Sequence, residues 1–127
     1  MIIGIGTDIV DVARIAQVFA RQGDAFAERL LSDEELLKFA GQRFPERFLA
    51  KRWALKEAVS KALGTGISQG VCFRDMTIRH HDSGQPFLHL AGTTHAKAEQ
   101  LGIQRWQISV SDEKTHAVAF VIAEGEF

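Results

Sequence analysis

Arg47-Phe-Leu-Ala-Lys-Arg-Trp-Ala-Leu-Lys-Glu-Ala-Val-Ser-Lys-Ala-Leu-Gly-Thr-Gly-Ile67 decides how this chain is built. Its interior is dominated by Ala, Leu, Lys, Arg and Glu, all strong helix formers. Pro45 stands where a first-turn proline is tolerated, and Gly64 where a left-handed residue closes a helix. The stretch therefore predicts one long helix. At about 100° per residue that helix has two faces. Phe48, Leu55, Val59 and Leu63 form a core stripe, while Ala50, Ala54 and Ala58 recur once per turn on another side. Small residues there admit a neighbouring backbone at close range. Glu57 and Lys61 project beside this alanine ladder. Taken alone they are an exposed i,i+4 pair that stabilises the helix by about 0.2–0.5 kcal/mol.

Upstream, Ile2-Ile-Gly-Ile-Gly-Thr-Asp8 predicts a strand. Ile3 and Ile5 share a face, and Gly4 and Gly6 leave the other bare, as where a backbone or ligand comes close. Asp8 ends the strand, either as a turn or cap residue or as a side chain aimed into a site. A helix follows over 11–21, with Val12, Ile15, Ala16 and Phe19 as its core side. Its stripe of Arg14, Val18 and Arg21 is either a solvated face or a surface suited to an acidic amphipathic helix, and Phe26 and Arg29 lie where they extend it. Ser32-Asp-Glu-Glu35 is a capping box that opens a helix carrying Leu36, Leu37 and Phe39 and stopping at Gly41. No chemistry is assigned to it.

Downstream, Gly64-Thr-Gly-Ile67 lacks the P-loop pattern. Strands are predicted over 76–81 and 86–90 around a turn at 82–85. His80 and His81 are adjacent in the first of these, so they point to opposite faces and do not share a metal. A helix over 92–101 precedes strands over 104–110 and 116–123, joined by a hairpin loop. The last strand is apolar on both faces, so it is buried on both sides or meets another subunit. The class is α+β: one long helix packed on a small antiparallel-rich sheet, in a single domain over 1–127.

Composition narrows the function. At 127 residues with 46% apolar content the chain can bury a core of its own. No apolar run approaches a membrane span, so no membrane partner is expected. The N-terminus has no basic, apolar signal pattern, and the lone Cys72 excludes an intrachain disulfide framework; a cytoplasmic location is expected. No histidine-based pattern activates Cys72, so it is read as structural. A net charge of −1 argues against nucleic acid as a partner. Locally the balance differs: Arg43, Arg47, Lys51, Arg52, Lys56 and Lys61 face only Glu46 and Glu57. That excess is either a solvated helix face or the seat of an anionic ligand.

In combination these stretches are specific. Gly4-Ile-Gly-Thr-Asp8-Ile-Val with Arg14-Ile15, followed by the 47–67 stretch, closely resembles the holo-acyl-carrier-protein synthases, the small bacterial 4′-phosphopantetheinyl transferases. The resemblance extends over essentially the whole chain. It implies that coenzyme A donates its 4′-phosphopantetheine arm to a serine of apo-acyl carrier protein, leaving adenosine 3′,5′-bisphosphate, in support of fatty acid biosynthesis. It implies Mg²⁺ held by Asp8 and Glu57, which suits an ion that takes one or two carboxylates plus phosphates. Lys61 would lie beside the diphosphate, and Arg43, Arg52, Ser60, Gly64 and Ile67 occupy positions that line the coenzyme A site. Arg14, Val18 and Arg21, with Phe26 and Arg29, would grip the acidic helix of the carrier. A homotrimer with its sites between subunits is also implied. In one departure, Asp112 in Ser109-Val-Ser-Asp112 stands where many relatives carry histidine. An anionic residue there needs a neighbouring cation, such as Lys114, to sit near phosphate. The general base stays open between Glu57 acting through water and a metal-activated water or hydroxyl.

Overall fold

The computed structural model describes residues 1–126. The chain runs β1 (Ile2–Asp11), α1 (Val12–Gln22), α2 (Asp24–Leu30), α3 (Asp33–Phe39) and α4 (Pro45–Ala62). A single 3₁₀ turn at Phe73–Asp75 leads into β2 (Met76–His80), β3 (Pro86–Leu90), α5 (Gly92–Gln100), β4 (Arg105–Asp112) and β5 (His116–Glu124). β5 lies between β1 and β4 in a three-stranded antiparallel sheet, and β2 and β3 form a separate hairpin. The expected α+β class and order of elements are present, with one addition. α2 is a helix of its own, because Gly23 at φ 57° breaks the chain after α1 and a new helix starts at Asp24.

α4 is the centre of the molecule. Eleven of its eighteen residues are buried, among them Ala50, Ala54, Leu55, Ala58 and Val59. It begins with Pro45 in its first turn and ends before Gly64 at φ 79°. The backbone that the alanine ladder admits is β1 of the same chain. A Cβ on Gly6 would stand 1.8 Å from the carbonyl oxygen of Ala58, and one on Gly4 would stand 2.1 Å from that of Ala62. Strand and helix therefore meet backbone to backbone, with no side chain that could move aside. β5 continues the same thin layer with Ala117, Ala119, Val121 and Ala123, all buried.

The opposite face of this sheet is open. Ile5, Ile9, Phe120 and Ile122 are exposed on β1 and β5. The expectation that both faces of β5 are covered thus holds for one face within this chain.

On the far side of α4 sits a sealed polar knot. Glu35 is 1% exposed and Lys56 is fully buried. Lys56 Nζ donates to Glu35 Oε1, to Leu30 O at 2.7 Å and to Phe73 O at 3.2 Å. Glu35 Oε2 accepts from Arg52 Nε at 3.2 Å and from the Ile78 amide at 2.9 Å. The capping box is present as well: Ser32 N donates to Glu35 Oε1 at 3.0 Å. One carboxylate thereby joins α3, α4 and β2. Burial, opposed by Glu35, holds the Lys56 ammonium pKa down at about 8.

Candidate active site

β1 and α4 place three of the expected site residues, Asp8, Glu57 and Lys61, together. Asp8 pairs with Ala119 near the end of β1, beyond the glycine segment that lies on α4. Glu57 and Lys61 leave α4 one turn apart on the side facing that strand. Lys61 Nζ donates to Thr7 O at 2.9 Å and to Asp8 Oδ1 at 3.1 Å. The ion pair is therefore Lys61–Asp8, across elements, and not the local Glu57–Lys61 pair that the helix alone suggests.

Two observations show that this cluster is incomplete. Asp8 Oδ2 is buried and has no hydrogen-bond partner. An orphaned carboxylate oxygen is costly without a cation or donor. The Glu57 carboxyl is held above its usual pKa, first by burial and next by the Asp8 charge, against the pull of Lys61 and Arg14. Two carboxylates thus repel each other, with Lys61 acting on both and Arg14 on Glu57. Their hard oxygens suit a divalent ion that keeps water and phosphate ligands, although no group of three or more His, Cys, Asp or Glu side chains gathers for a metal among the described residues.

Other expected site residues fall into different places. Arg52 is turned inward: its guanidinium pairs with Glu35 and lies 4.3 Å from the Phe48 ring centroid. The phosphate contact expected of it is not one that this arrangement offers. Ser60 is buried, and its hydroxyl donates to Glu57 O at 2.7 Å. That bond fixes the turn carrying Glu57 and leaves Ser60 no free face. Gly64 and Gly66 both have positive φ, and the Gly66 amide returns to Ser60 O at 3.2 Å. Arg14 and Arg21 are exposed on α1 with Val18 half-buried between them. Arg14 is close enough to act on Glu57.

Phe26 departs from the surface role expected for it. It is 4% exposed, and its ring lies 6.0 Å from that of Trp53. It forms the floor of a cavity of about 360 Å³ that Arg29, Leu30, Ile67 and Phe73 also line. Ile67 thus belongs with Phe26 and Arg29. A second cavity of about 320 Å³ gathers Arg43 with Arg47, Lys51 and Asp112. Here the cation beside Asp112 is Arg47 at 3.3 Å, in place of the expected Lys114.

Sequence reasoning passed over Glu35, Lys56 and Arg47. A signal for the first two was available: Arg52 and Lys56 are one turn apart on a helix side that also carries Phe48, Leu55 and Val59. Two cations in an apolar stripe require a buried acid. The basic excess of 43–61 is thereby divided, with Arg52 and Lys56 neutralised inside and Arg43, Arg47, Lys51 and Lys61 left for the surface.

Known proteins match this arrangement throughout. Residues 4–121 match the family model for the 4′-phosphopantetheinyl transferase superfamily (ACPS). A holo-[acyl-carrier-protein] synthase of Hydrogenovibrio crunogenus is 59% identical over 124 residues, covering 98% of each chain. The crystal structure of the Neisseria meningitidis holo-[acyl-carrier-protein] synthase superposes with a TM-score of 0.93 at 46% identity, over 98% of this chain and 99% of that one. The Bacillus anthracis enzyme, in complex with CoA (3′,5′-ADP), superposes with a TM-score of 0.83 at 36% identity, over 99% of both chains. By its fold and these matches, the chain belongs to the 4′-phosphopantetheinyl transferase superfamily.

Proposed function

We propose that this chain is a holo-acyl-carrier-protein synthase. It transfers the 4′-phosphopantetheine group of coenzyme A to a serine hydroxyl of apo-acyl carrier protein. The observation that carries this reading is the under-neutralised pair Asp8–Glu57 beside Lys61, with Asp8 Oδ2 buried and unpartnered.

In the reaction a bond forms between the serine oxygen and the phosphorus bearing the pantetheine arm. The bond from that phosphorus to the bridging oxygen breaks, and adenosine 3′,5′-bisphosphate leaves with the electron pair. Asp8 and Glu57 are the residues that would hold Mg²⁺, and their oxygen donors fit it. When bound, that ion neutralises charge on the diphosphate. Lys61, half-exposed at the mouth of the site, brings its ammonium to the oxygen on which negative charge develops. A carboxylate oxygen of Glu57, acting through a water, can accept the serine proton. Ser60 keeps the Glu57 turn in place through its bond to Glu57 O.

The two cavities suit the two substrates. Arg43, Arg47 and Lys51 offer positive charge to the phosphates of coenzyme A, with Arg forks matched to phosphate oxygens. Arg14, Val18 and Arg21 face the acidic helix of the carrier, and the Phe26–Arg29 cavity beside them receives an apolar side chain from it. Ile5, Ile9, Phe120 and Ile122 leave an apolar sheet face next to Lys61, which supports a homotrimer that covers it. The lone Cys72 suits a reducing compartment, which supports a reaction in the cytoplasm. No helix among the described residues is long and apolar enough to cross a membrane.

Mass spectrometry of an apo-carrier incubated with coenzyme A, Mg²⁺ and the protein tests the reading. The expected result is one added phosphopantetheine on the carrier serine. An unchanged carrier mass with bound coenzyme A would point instead to a non-catalytic coenzyme A-binding module.

A further inference from the structure

We propose that Glu35 is a positioning residue for the transfer site: its carboxylate fixes the rotation of α4 that turns Glu57 toward Asp8, and through Lys56 it ties that helix to the wall of the Phe26–Trp53 cavity. The inference rests on the transferase reading above.

Lys56 and Glu57 are consecutive, so their side chains leave α4 about 100° apart. Whatever fixes Lys56 fixes the direction of Glu57. Lys56 is held from three elements at once, by Glu35 on α3, by Leu30 O at the end of α2 and by Phe73 O before β2. One turn earlier, Arg52 meets the other oxygen of the same carboxylate. α4 thus carries two parallel stripes. Arg52 and Lys56 lock to Glu35 on one side, and Glu57 and Lys61 face Asp8 next to it.

Leu30 and Phe73, the carbonyl partners of Lys56, both line the cavity that also holds Phe26 and Arg29. The ammonium therefore joins the carrier side of the molecule to the helix that bears the reacting site. An apolar plug would fill this space at no desolvation cost, and buried ion clusters are often replaceable by such plugs without loss of stability. What the plug would lack is direction. Directed bonds to two carbonyls and a carboxylate fix position, which packing alone does less sharply.

The experiment uses the full chain. Glu35→Gln, Lys56→Met and the double variant, which removes both charges of that pair and leaves Arg52 an amide oxygen to donate to, are compared with the parent in the transfer assay. Folded fraction is followed by circular dichroism at a temperature where the parent is fully native. The expected result for the folded double variant is a KM for apo-carrier raised about tenfold and a kcat lowered about tenfold, with the KM for coenzyme A within about twofold. Parent-like kinetics in the folded double variant would overturn the proposal, as would a loss that merely follows the folded fraction. A parent that transfers nothing would sink the transferase reading itself, which is a separate outcome. If the double variant does not fold, hydrogen exchange on the unmutated protein decides. Added apo-carrier should slow amides of 56–60 and 73–74 together, by about tenfold or more. Slowing of one segment without the other would refute the coupling.

Discussion

Two carboxylate clusters flank α4, and they are opposites in their degree of completion. Glu35 faces two cations and two amides, is 1% exposed, and has every oxygen matched. Asp8 and Glu57 share one half-exposed lysine, and one buried oxygen of Asp8 has nothing to accept from. Both clusters draw their cations from the same helix, Arg52 and Lys56 for Glu35 and Lys61 for Asp8. The difference is saturation. A saturated cluster holds the fold still, whereas an unsaturated one keeps free coordination for something that binds later. The Glu35 cluster also lets the other stay unsaturated, because like-charged acids remain face to face only if the helix carrying one of them cannot turn away.

The sharpest break of this contrast is at the unsaturated cluster. Asp8→Asn and Glu57→Gln are nearly isosteric and should leave circular dichroism unchanged. Each should lower transfer by at least about 10³-fold, since each removes an oxygen charge from a site built around two. Steady-state rates with apo-carrier and coenzyme A check this. Loss of less than about tenfold in both variants would mean that the pair is not the reacting centre.

Glu35→Ala should act the other way round. It strands Arg52 and Lys56 as buried cations with no anion, at a cost of about 3–5 kcal/mol. Chemical denaturation should show that loss as a lower midpoint at unchanged slope. Near-parental stability would show that water reaches the knot and that it is not sealed.

The two clusters were unequally legible in the sequence. Asp8 closes the glycine segment of β1, a strand that runs on to Asp11 beyond the end expected of it, and Glu57 and Lys61 share one side of a helix, so motif and periodicity find them. The glycines of β1 and the alanines of α4 announced close packing, and the structure supplies the partner of each in the other. Glu35 was hidden for a physical reason. Its capping box is a complete local explanation, and Arg52 and Lys56 lie 17 and 21 residues away from it, so nothing local requires the contact. Phe26 was misjudged similarly. Only the break at Gly23, which sets α2 at a new angle, turns its ring onto Trp53. Asp112 and Arg47 come together through the approach of β4 to the start of α4, a contact that no local pattern encodes.

A smaller effect sharpens the comparison from the carrier side. Arg14 is exposed on α1 and already acts on Glu57 from outside the cluster. Arg14→Glu should raise the KM for apo-carrier about tenfold and change the KM for coenzyme A by less than about twofold. Raising salt should weaken carrier binding by the parent more than by the variant, because the attraction being screened has been removed. Equal losses for both substrates would move Arg14 from the docking surface into the coenzyme A site.

The smallest effect concerns stability alone, in metal-free buffer with EDTA. The folded-state pKa of Glu57 is raised, by burial first and Asp8 second. For an acid with a raised pKa the folded state binds more protons than the unfolded one over the window between the two values. Its contribution to stability therefore falls as pH rises through that window, from the ordinary glutamate value upward, and stays lower at neutral pH. Glu57→Gln removes this penalty. At pH 7 in EDTA it should be more stable than the parent, by less than about 1 kcal/mol given its partial exposure. At pH 4 the difference should vanish, because the parent is then protonated too. The same substitution thus abolishes turnover and steadies the fold, as expected where unsatisfied charge is kept for binding. Added Mg²⁺ should raise the melting temperature of the parent and not that of the variant. A variant less stable than the parent in EDTA at pH 7 would show that Glu57 is already satisfied within the fold, and the contrast between the two clusters would fail.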